Sequence, residues 1–418
     1  MSANVSNIPP DLACVEHGIW TVIPIDPPTG SLRLKLKEVD PDESRRIKEQ
    51  NVLTFHAIGC SGDYDDHSPG YRVAHCLAEQ ASNPAANGGY PKAKPASFLF
   101  HLGDVVYKAE TVAEGGGKDQ PEIYQSQFYR QYSGYSRNIF AVAGNHDGKV
   151  SAHVRRSAIH HFLLNFCAPK RKLSPDNTVD QRPAMIQPYP YWVLEAPLAY
   201  FVGLYTNIMN GGHLDNPQSR ESPQQEWLID TLKKIRKEDA GKAVVLALHY
   251  PPYSGCANFP ERGDPNLGPT PKPTLLAPLA TVLQKAFAET KLYPDLVISA
   301  HAHLYQRIRY TYANGDVMPF LVAGNGGHSV EKFDTTCAGK LSPPRTPPFP
   351  ALLPRGFQLP AGDKAEVLAY NDTDYGFLRI TIEPEKITGE FFSVFNADQP
   401  SDQPARVTDS FTMPRRKR

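Results

Sequence analysis

The stretch Phe98-Leu-Phe-His-Leu-Gly-Asp-Val-Val-Tyr107 decides the fold, because a short apolar run ends there in a glycine and a carboxylate. Comparable runs span 140–143, 244–248 and 296–300. Short apolar runs bounded by turn residues are typical of buried strands. Helix-like stretches separate several of them, at 71–81, 223–237 and 276–290. Buried strands that alternate with helices predict an α/β or mixed sheet.

Each of these runs leads directly into groups that can bind a metal ion. The groups are Gly103-Asp104, Gly144-Asn-His-Asp147, His249 and His301-Ala-His303. In open α/β sheets a ligand site lies just beyond the carboxyl ends of the strands. Any one of these groups, taken alone, more often has a structural role than a metal-binding one. Oxygen and imidazole ligands that converge on one sheet edge suit Mn, Fe or Zn ions, so the set in this order predicts a metal site.

Taken together, these motifs resemble the blocks of the calcineurin-like metallophosphoesterase superfamily, and within it the purple acid phosphatase-like branch. The resemblance spans residues 52 to about 328. It implies an α/β (α+β) sandwich of two mixed β-sheets flanked by helices. It also implies a hydrolase that acts on phosphate mono- or diesters through a metal-bound hydroxide at a dinuclear site. The implied cofactors are two divalent or trivalent ions of Fe, Mn or Zn.

The resemblance further implies roles for single residues. Asp104 would bridge the two ions. The residues that would complete the second ion's shell are Asn145, His249 and His301. Those that would bind the first ion are Tyr107 and His303. His146 would face the substrate as a catalytic group oriented by Asp147, a role that suits an imidazole with a carboxylate partner.

The first family block, Gly-Asp-x-Gly, is altered in this sequence to Gly59-Cys60-Ser61-Gly62-Asp63. Without a gap, Cys60 occupies the aspartate position, and three interpretations stay open. Cys60 binds the first ion as a thiolate, which favours a softer metal such as zinc. Asp63 supplies a carboxylate three residues late. Otherwise the first site is lost and Cys60 is a small buried apolar residue. The last case corresponds to an alternative function, a degenerate, non-catalytic protein that binds one metal ion or a phosphorylated ligand.

The chain divides into three parts by sequence pattern. Residues 1–50 predict a β-hairpin extension, with strands at 20–25 and 31–36, and a charged linker. Residues 51–398 form the predicted metallophosphoesterase domain, which ends in a hairpin at 377–395. Residues 399–418 read as a polar and basic tail. Specificity for mono- or diesters would lie in the loops 109–135, 208–222 and 251–278.

Composition limits the partners that we expect. The 44 basic and 44 acidic residues give a formal net charge of zero, which disfavours a dedicated nucleic-acid binder and leaves a small-molecule phosphate ester as the expected partner. No stretch approaches the roughly 20 apolar residues of a membrane span. The N-terminus lacks the basic and apolar regions of a signal peptide. The six scattered cysteines do not form a disulfide pattern, and we therefore expect a cytoplasmic protein with reduced thiols. The oligomeric state is not encoded in these patterns.

Overall fold

The computed structural model describes most of the chain. The described residues are 25–62, 68–86, 88–107, 121–149, 157–207, 223–238, 241–255, 279–332, 346–351, 353, 358–394 and 404–416. The strands among them are β1 Arg33–Lys35, β2 Leu53–Ile58, β3 Phe98–His101, β4 Asn138–Ala141, β5 Trp192–Glu195, β6 Ala199–Gly203, β7 Ala243–Ala247, β8 Leu296–Ser299, β9 Tyr305–Thr311, β10 Val317–Ala323, β11 Phe349–Pro350, β12 Lys364–Asn371, β13 Tyr375–Ile382, β14 Lys386–Val394 and β15 Arg406–Pro414.

Helices lie between many of these strands. They are α1 Leu36–Val39, α2 Pro41–Gln50, α3 Pro69–Ser82, α4 Glu122–Tyr124, α5 His160–Phe166, α6 Pro223–Glu238 and α7 Leu279–Thr290. A π-helical segment, Gln125–Arg130, continues α4, and a 3₁₀ turn, His146–Lys149, follows β4. The predicted helices at 71–81, 223–237 and 276–290 correspond to α3, α6 and α7.

The described strands form two mixed sheets, as the sequence predicted. The six-stranded sheet has the order β15-β14-β13-β2-β3-β4, in which β2, β3 and β4 are parallel. The nine-stranded sheet has the order β1-β5-β6-β7-β8-β10-β9-β12-β11, in which β6, β7, β8 and β10 are parallel. The predicted closing hairpin is β13 and β14, which pair antiparallel.

Aromatic side chains join the two sheets in the main core. The ring of Phe201 on β6 lies edge-on to Phe55 of β2 with centroids 4.8 Å apart, and it stacks on Phe100 of β3 at 5.9 Å. Every residue of β2 is buried. Strands covered on both faces lack a polar side, and this explains why the sequence shows continuous apolar runs there.

A second core lies between the nine-stranded sheet and the helices on its outer face. Leu228, Leu232 and Ile235 of α6 are buried and follow the helical spacing of four and three residues. Phe287 of α7 packs into the same cluster. Apolar residues at this spacing form one stripe of a helix, so α6 and α7 cover the sheet while their polar faces meet solvent. On the other sheet, α3 contacts β13 and β14.

In the N-terminal segment the predicted linker contains a helix, while most of the first strand of the predicted hairpin lies outside the described residues. β1 pairs in parallel with β5, and of the other predicted strand only Ile25 lies within the described residues. The predicted linker contains helix α2, because Asp40 caps its first turn by accepting from Glu43 N at 3.0 Å and Pro41 opens it. Ile47 anchors this charged helix in the core.

The C-terminal segment is also more ordered than the predicted tail. β15 pairs antiparallel with β14 and forms the edge of the six-stranded sheet. Its Asp409 accepts two hydrogen bonds from Arg307 of β9, at 2.7 and 3.0 Å, which ties this edge to the other sheet. Arg416 donates through its backbone N to Asp295 at 2.8 Å. Residues 406–414 of the predicted polar and basic tail form this edge strand, in which exposed and half-buried residues alternate.

Candidate metal centre

Five strands from both sheets end at one place. β2, β3 and β4 of the six-stranded sheet lead into Cys60, Asp104 and Asn145. β7 and β8 of the nine-stranded sheet lead into His249 and His301. A hydrogen bond of 2.8 Å from His249 Nδ1 to the carbonyl of Leu102 joins the two sheets at this point. The predicted convergence of strand ends is therefore present, and it spans both sheets.

Three residues at this place have left-handed backbone conformations. The φ angles are +54° for Cys60, +52° for Asp104 and +64° for His301. Such angles are uncommon for residues other than glycine, and they cluster at functional sites where the surroundings hold them. Here Cys60 N donates to Gly103 O at 3.0 Å, which links the loops after β2 and β3. The strained backbone directs these side chains away from the strands.

The predicted ligands of the second ion contact one another. Asn145 Oδ1 lies 3.0 Å from His249 Nε2 and 3.2 Å from His301 Nδ1. Asp104 Oδ2 lies 3.4 Å from His249 Nε2. All four side chains are buried. The close approach also explains Gly144, because a Cβ there would lie 2.3 Å from Asp104 Oδ1.

The tautomer of His249 shows what this cluster can bind. Its Nδ1 faces a carbonyl oxygen and therefore carries the hydrogen, so the neutral ring presents a lone pair at Nε2. That lone pair faces two further acceptors, Asn145 Oδ1 and Asp104 Oδ2. Burial opposes a charge on the ring, but the Asp104 carboxylate outweighs it and raises the pKa of His249. Because these acceptor atoms repel one another, a cation between them, either a proton or a metal ion, would stabilise the cluster.

The ring of His301 adds a further nitrogen to this cluster. Burial and the neighbouring His249 hold the pKa of His301 well below its ordinary value, so the ring is neutral. Its Nδ1 lies 3.2 Å from Asn145 Oδ1 and so faces the cluster, whereas the other ring nitrogen, Nε2, is buried without a hydrogen-bond partner among the described residues. Ions with bonds of about 2.0–2.2 Å hold neighbouring ligand atoms about 3.0–3.5 Å apart. The separations of 3.0, 3.2 and 3.4 Å fall in this range, so the residues fit a metal ion.

The predicted ligands of the first ion lie beside this cluster. Tyr107 Oη donates to Asp104 Oδ2 at 3.0 Å and lies 3.1 Å from His303 Nε2. Ligand atoms of Cys60, Asp104 and His249 lie within 4.8 Å of one another. Burial, with the Asp104 carboxylate in second place, raises the pKa values of both Cys60 and Tyr107 well above their ordinary range. Asp63, the competing candidate, lies outside the described residues.

Asp147 holds the loop that carries Asp104. Its fully buried carboxylate accepts from four backbone amides: Asp104 N at 3.0 Å, Val105 N at 3.1 Å, Val106 N at 3.4 Å and Gly144 N at 2.8 Å. Burial and the Asp104 charge raise the pKa of Asp147 to about 7, against the effect of these amides. Among the described contacts of this carboxylate none goes to the His146 ring, which the sequence had predicted as its partner. Asp147 is a positioning residue for the loop.

His146 is half-buried at the rim of the cluster. Its backbone N donates to Asp104 Oδ1 at 2.7 Å, so the Asp104 carboxylate is held from this side as well. Its ring lies 4.3 Å from the Tyr107 ring, centroid to centroid. The side chain is thus beside Tyr107 and outside the group of acceptors formed by Asp104, Asn145 and His249.

His328 belongs to the site although sequence reasoning gave it no role. Its ring stacks on Tyr107 with centroids 3.5 Å apart and planes 6° apart. Its backbone N donates to Cys60 O at 3.1 Å. The signal in the sequence was Gly324-Asn-Gly-Gly-His328 directly after an apolar run. Tyr107 is therefore fixed by a stack on one side and by hydrogen bonds at its hydroxyl.

Comparison with known proteins identifies the class. The profile of the calcineurin-like phosphoesterase family matches residues 72–305, more than half of the chain. The chain belongs to this family of metal-dependent phosphoesterases. No curated protein matches the sequence. Among the described residues, no helix is both long and apolar enough to cross a membrane.

Two solved structures share the fold. One is GAP50, described as the anchor in the inner membrane complex of Plasmodium, with 15% identity and a TM-score of 0.52 over 88% of this chain and 90% of that chain. The other is PhoD, with 13% identity and a TM-score of 0.50 over 88% of this chain and 70% of that chain. At such identities the likeness concerns the fold alone.

Proposed function

We propose that this protein hydrolyses a small phosphate mono- or diester at a dinuclear metal site, as an enzyme of the purple acid phosphatase-like branch. The observation that carries the proposal is the set of buried acceptors of Asp104, Asn145, His249 and His301, whose separations of 3.0–3.4 Å suit a cation. Four further groups, His146, Tyr107, His303 and Cys60, lie around them.

Within this proposal the chain's own residues position the reaction. Two ions of Fe, Mn or Zn, when bound, would ionise a water molecule and neutralise charge on the phosphoryl oxygens. Asp104 stands between the two groups of ligands and would be shared by both ions. His146, half-buried beside Tyr107, would hydrogen-bond the phosphoryl group or protonate the leaving oxygen. Asp147 keeps Asp104 in place through the backbone amides of the loop.

The proposed substrate is a small phosphate ester. The side chains that meet its organic part would come from 109–135, 208–222 and 251–278, and most of these residues lie outside the described part. The zero net charge supports a small molecule over a nucleic acid.

The proposal is tested with the full chain, stripped with chelator and reloaded with Mn, Fe or Zn. The substrates are 4-nitrophenyl phosphate as a monoester and bis(4-nitrophenyl) phosphate as a diester. We expect His146→Gln to lower kcat by about 10²- to 10⁴-fold at unchanged metal content, as for loss of a general acid. We expect Asn145→Leu to lower the number of bound ions.

His161→Asn is the matched control. The His161 ring contacts Asp176 at 2.9 Å in a buried pair that is separate from the metal ligands, so this variant should keep kcat within twofold after the folded fraction is equalised. If the metal-loaded protein hydrolyses neither ester and releases no phosphate from a broader set of phosphate esters, the proposal fails.

A degenerate, non-catalytic protein is the second candidate. The observation that favours it is Cys60, which stands where the family has an aspartate. This candidate predicts that the protein binds a single ion or inorganic phosphate in calorimetry, with no turnover. Hydrolysis that disappears in His146→Gln would rule it out.

A further inference from the structure

Cys60 is held in a costly conformation at the centre of the site. It follows β2, is fully buried and has a φ angle of +54°. Left-handed backbone costs about 1–2 kcal/mol for residues with a Cβ. Hydrogen bonds hold both of its backbone polar groups, N to Gly103 O at 3.0 Å and O from His328 N at 3.1 Å. An ordinary core cysteine needs no such arrangement.

The thiol lies among the ligands of the first ion. Its Sγ is within 4.8 Å of ligand atoms of Asp104 and His249. The hydroxyl of Tyr107 donates to Asp104 Oδ2 at 3.0 Å and lies 3.1 Å from His303 Nε2. Asp104 therefore links the Cys60 thiol to Tyr107 and His303, so that sulfur, carboxylate, phenol and imidazole groups form one cluster beside the acceptors of the second ion.

We propose that Cys60 binds the first metal ion as a thiolate, together with Tyr107, His303 and the shared Asp104, and that this position selects a thiophilic ion of the zinc class. The inference rests on the metal site of the proposed function. A thiolate carries the same single negative charge as the aspartate carboxylate of the family, so the charge and number of ligands are conserved. The thiol proton leaves to solvent when the ion binds.

The sulfur changes which ion is preferred. Soft thiolate ligands select zinc and its softer relatives, whereas carboxylate and phenolate oxygens suit harder ions. At the second position the side chains of Asn145, His249 and His301 offer nitrogen and oxygen atoms. The two positions should therefore differ in preference, with the softer ion at Cys60.

The test uses Cd²⁺ and Co²⁺ alone, titrated into the chelator-stripped full chain. Elemental analysis counts ions per chain, and ultraviolet absorption reports thiolate-to-metal charge transfer. We expect two ions per chain and a charge-transfer band equivalent to one thiolate. Cys60→Ser should abolish the band and weaken the first site for Cd²⁺ at least tenfold. Cys60→Asp should abolish the band, keep two ions and shift the preference from Cd²⁺ towards Mn²⁺.

The matched control is Cys76→Ser, which changes a buried free cysteine of α3. It should leave both the band and the ion count unchanged, and circular dichroism checks that each variant is folded. Two bound ions without a charge-transfer band, or a band that survives in Cys60→Ser, would overturn the inference. One bound ion without a band would overturn it and leave the second site standing. If the chain binds no ion at all, the proposed function is wrong as well.

Discussion

Replacement of Asp147 by asparagine tests whether this carboxylate positions the loop that carries Asp104. The change keeps the shape of the side chain and removes one of its two acceptor oxygens. Oδ2 accepts from Asp104 N and Gly144 N, and Oδ1 accepts from Val105 N and Val106 N. Whichever position the new nitrogen takes, its hydrogens face two backbone N–H donors, and those two amides lose their partner.

The structure sets the size of the expected effect. A buried polar group left unpaired costs about 1–3 kcal/mol, so two amides cost about 2–6 kcal/mol. The nitrogen will take the side of Val105 and Val106, because the 3.4 Å bond to Val106 is the weakest of the four. Burial and the repulsion from Asp104 raise the pKa of Asp147 to about 7, and loss of the charge relieves both. We therefore expect a loss of about 2–4 kcal/mol in the free energy of unfolding.

Metal affinity should fall with stability, because the loop carries Asp104. Loss of a partner behind a metal ligand typically costs about 10–100-fold in affinity. Urea denaturation of the stripped protein measures the first effect, and competition with a chelator measures the second. Asp295→Asn is the control, since Asp295 is also buried and accepts from Val244 N and Arg416 N, both at 2.8 Å, at the opposite end of β8 from His301. Asp295→Asn should lower the free energy of unfolding and leave the metal affinity unchanged. Wild-type metal affinity in Asp147→Asn would refute the reasoning.

Three other changes probe the frame around the site. Arg379→Met should destabilise the protein by about 3–5 kcal/mol, because it leaves Glu390 buried without the guanidinium 2.8 Å away; a shift in urea midpoint worth under 1 kcal/mol would contradict this. Burial and Arg379 lower the pKa of His56 from 6.5 to about 3. As the pH falls below 6.5, the His56 ring therefore binds a proton in the unfolded chain but stays neutral in the folded chain. The free energy of unfolding should drop by up to about 1.4 kcal/mol per pH unit. His56→Gln should remove that part of the slope in urea titrations at several pH values, and an unchanged slope would show that the ring is not held neutral. Deletion of 404–418 should expose the edge of β14, and an open strand edge pairs with other chains. We therefore expect association of the shortened protein that increases with its concentration, measured by light scattering. A monodisperse, equally stable product would show that β15 is dispensable.

The sequence predicted the parts of the fold that depend on local pattern. Strands covered on both faces, such as β3 and β7, read as continuous apolar runs, and the ligands directly after them could be placed at one edge. The closing hairpin of β13 and β14 followed in the same way. The ends of these strands can be predicted because each strand ends where its apolar run ends in the sequence.

Other features depend on contacts between distant residues. The stack of His328 on Tyr107 joins residues far apart in the chain. The positive φ angle of Cys60 follows from hydrogen bonds to the loops of Gly103 and His328. Helix α2 looked like a charged linker because only a narrow stripe around Ile47 is buried. No local pattern encodes these arrangements.

The position of β2 between β3 and β13 has a consequence for how the protein is made. Thr54 of β2 meets Thr381 of β13 across 327 residues. At about 5–20 residues per second, a ribosome needs roughly 16–65 s to add the strand that completes this pairing. During that interval the nascent chain carries one open edge of a strand that is buried throughout in the finished protein. The yield of folded protein in a cell should therefore depend on chaperones that shield this edge during translation.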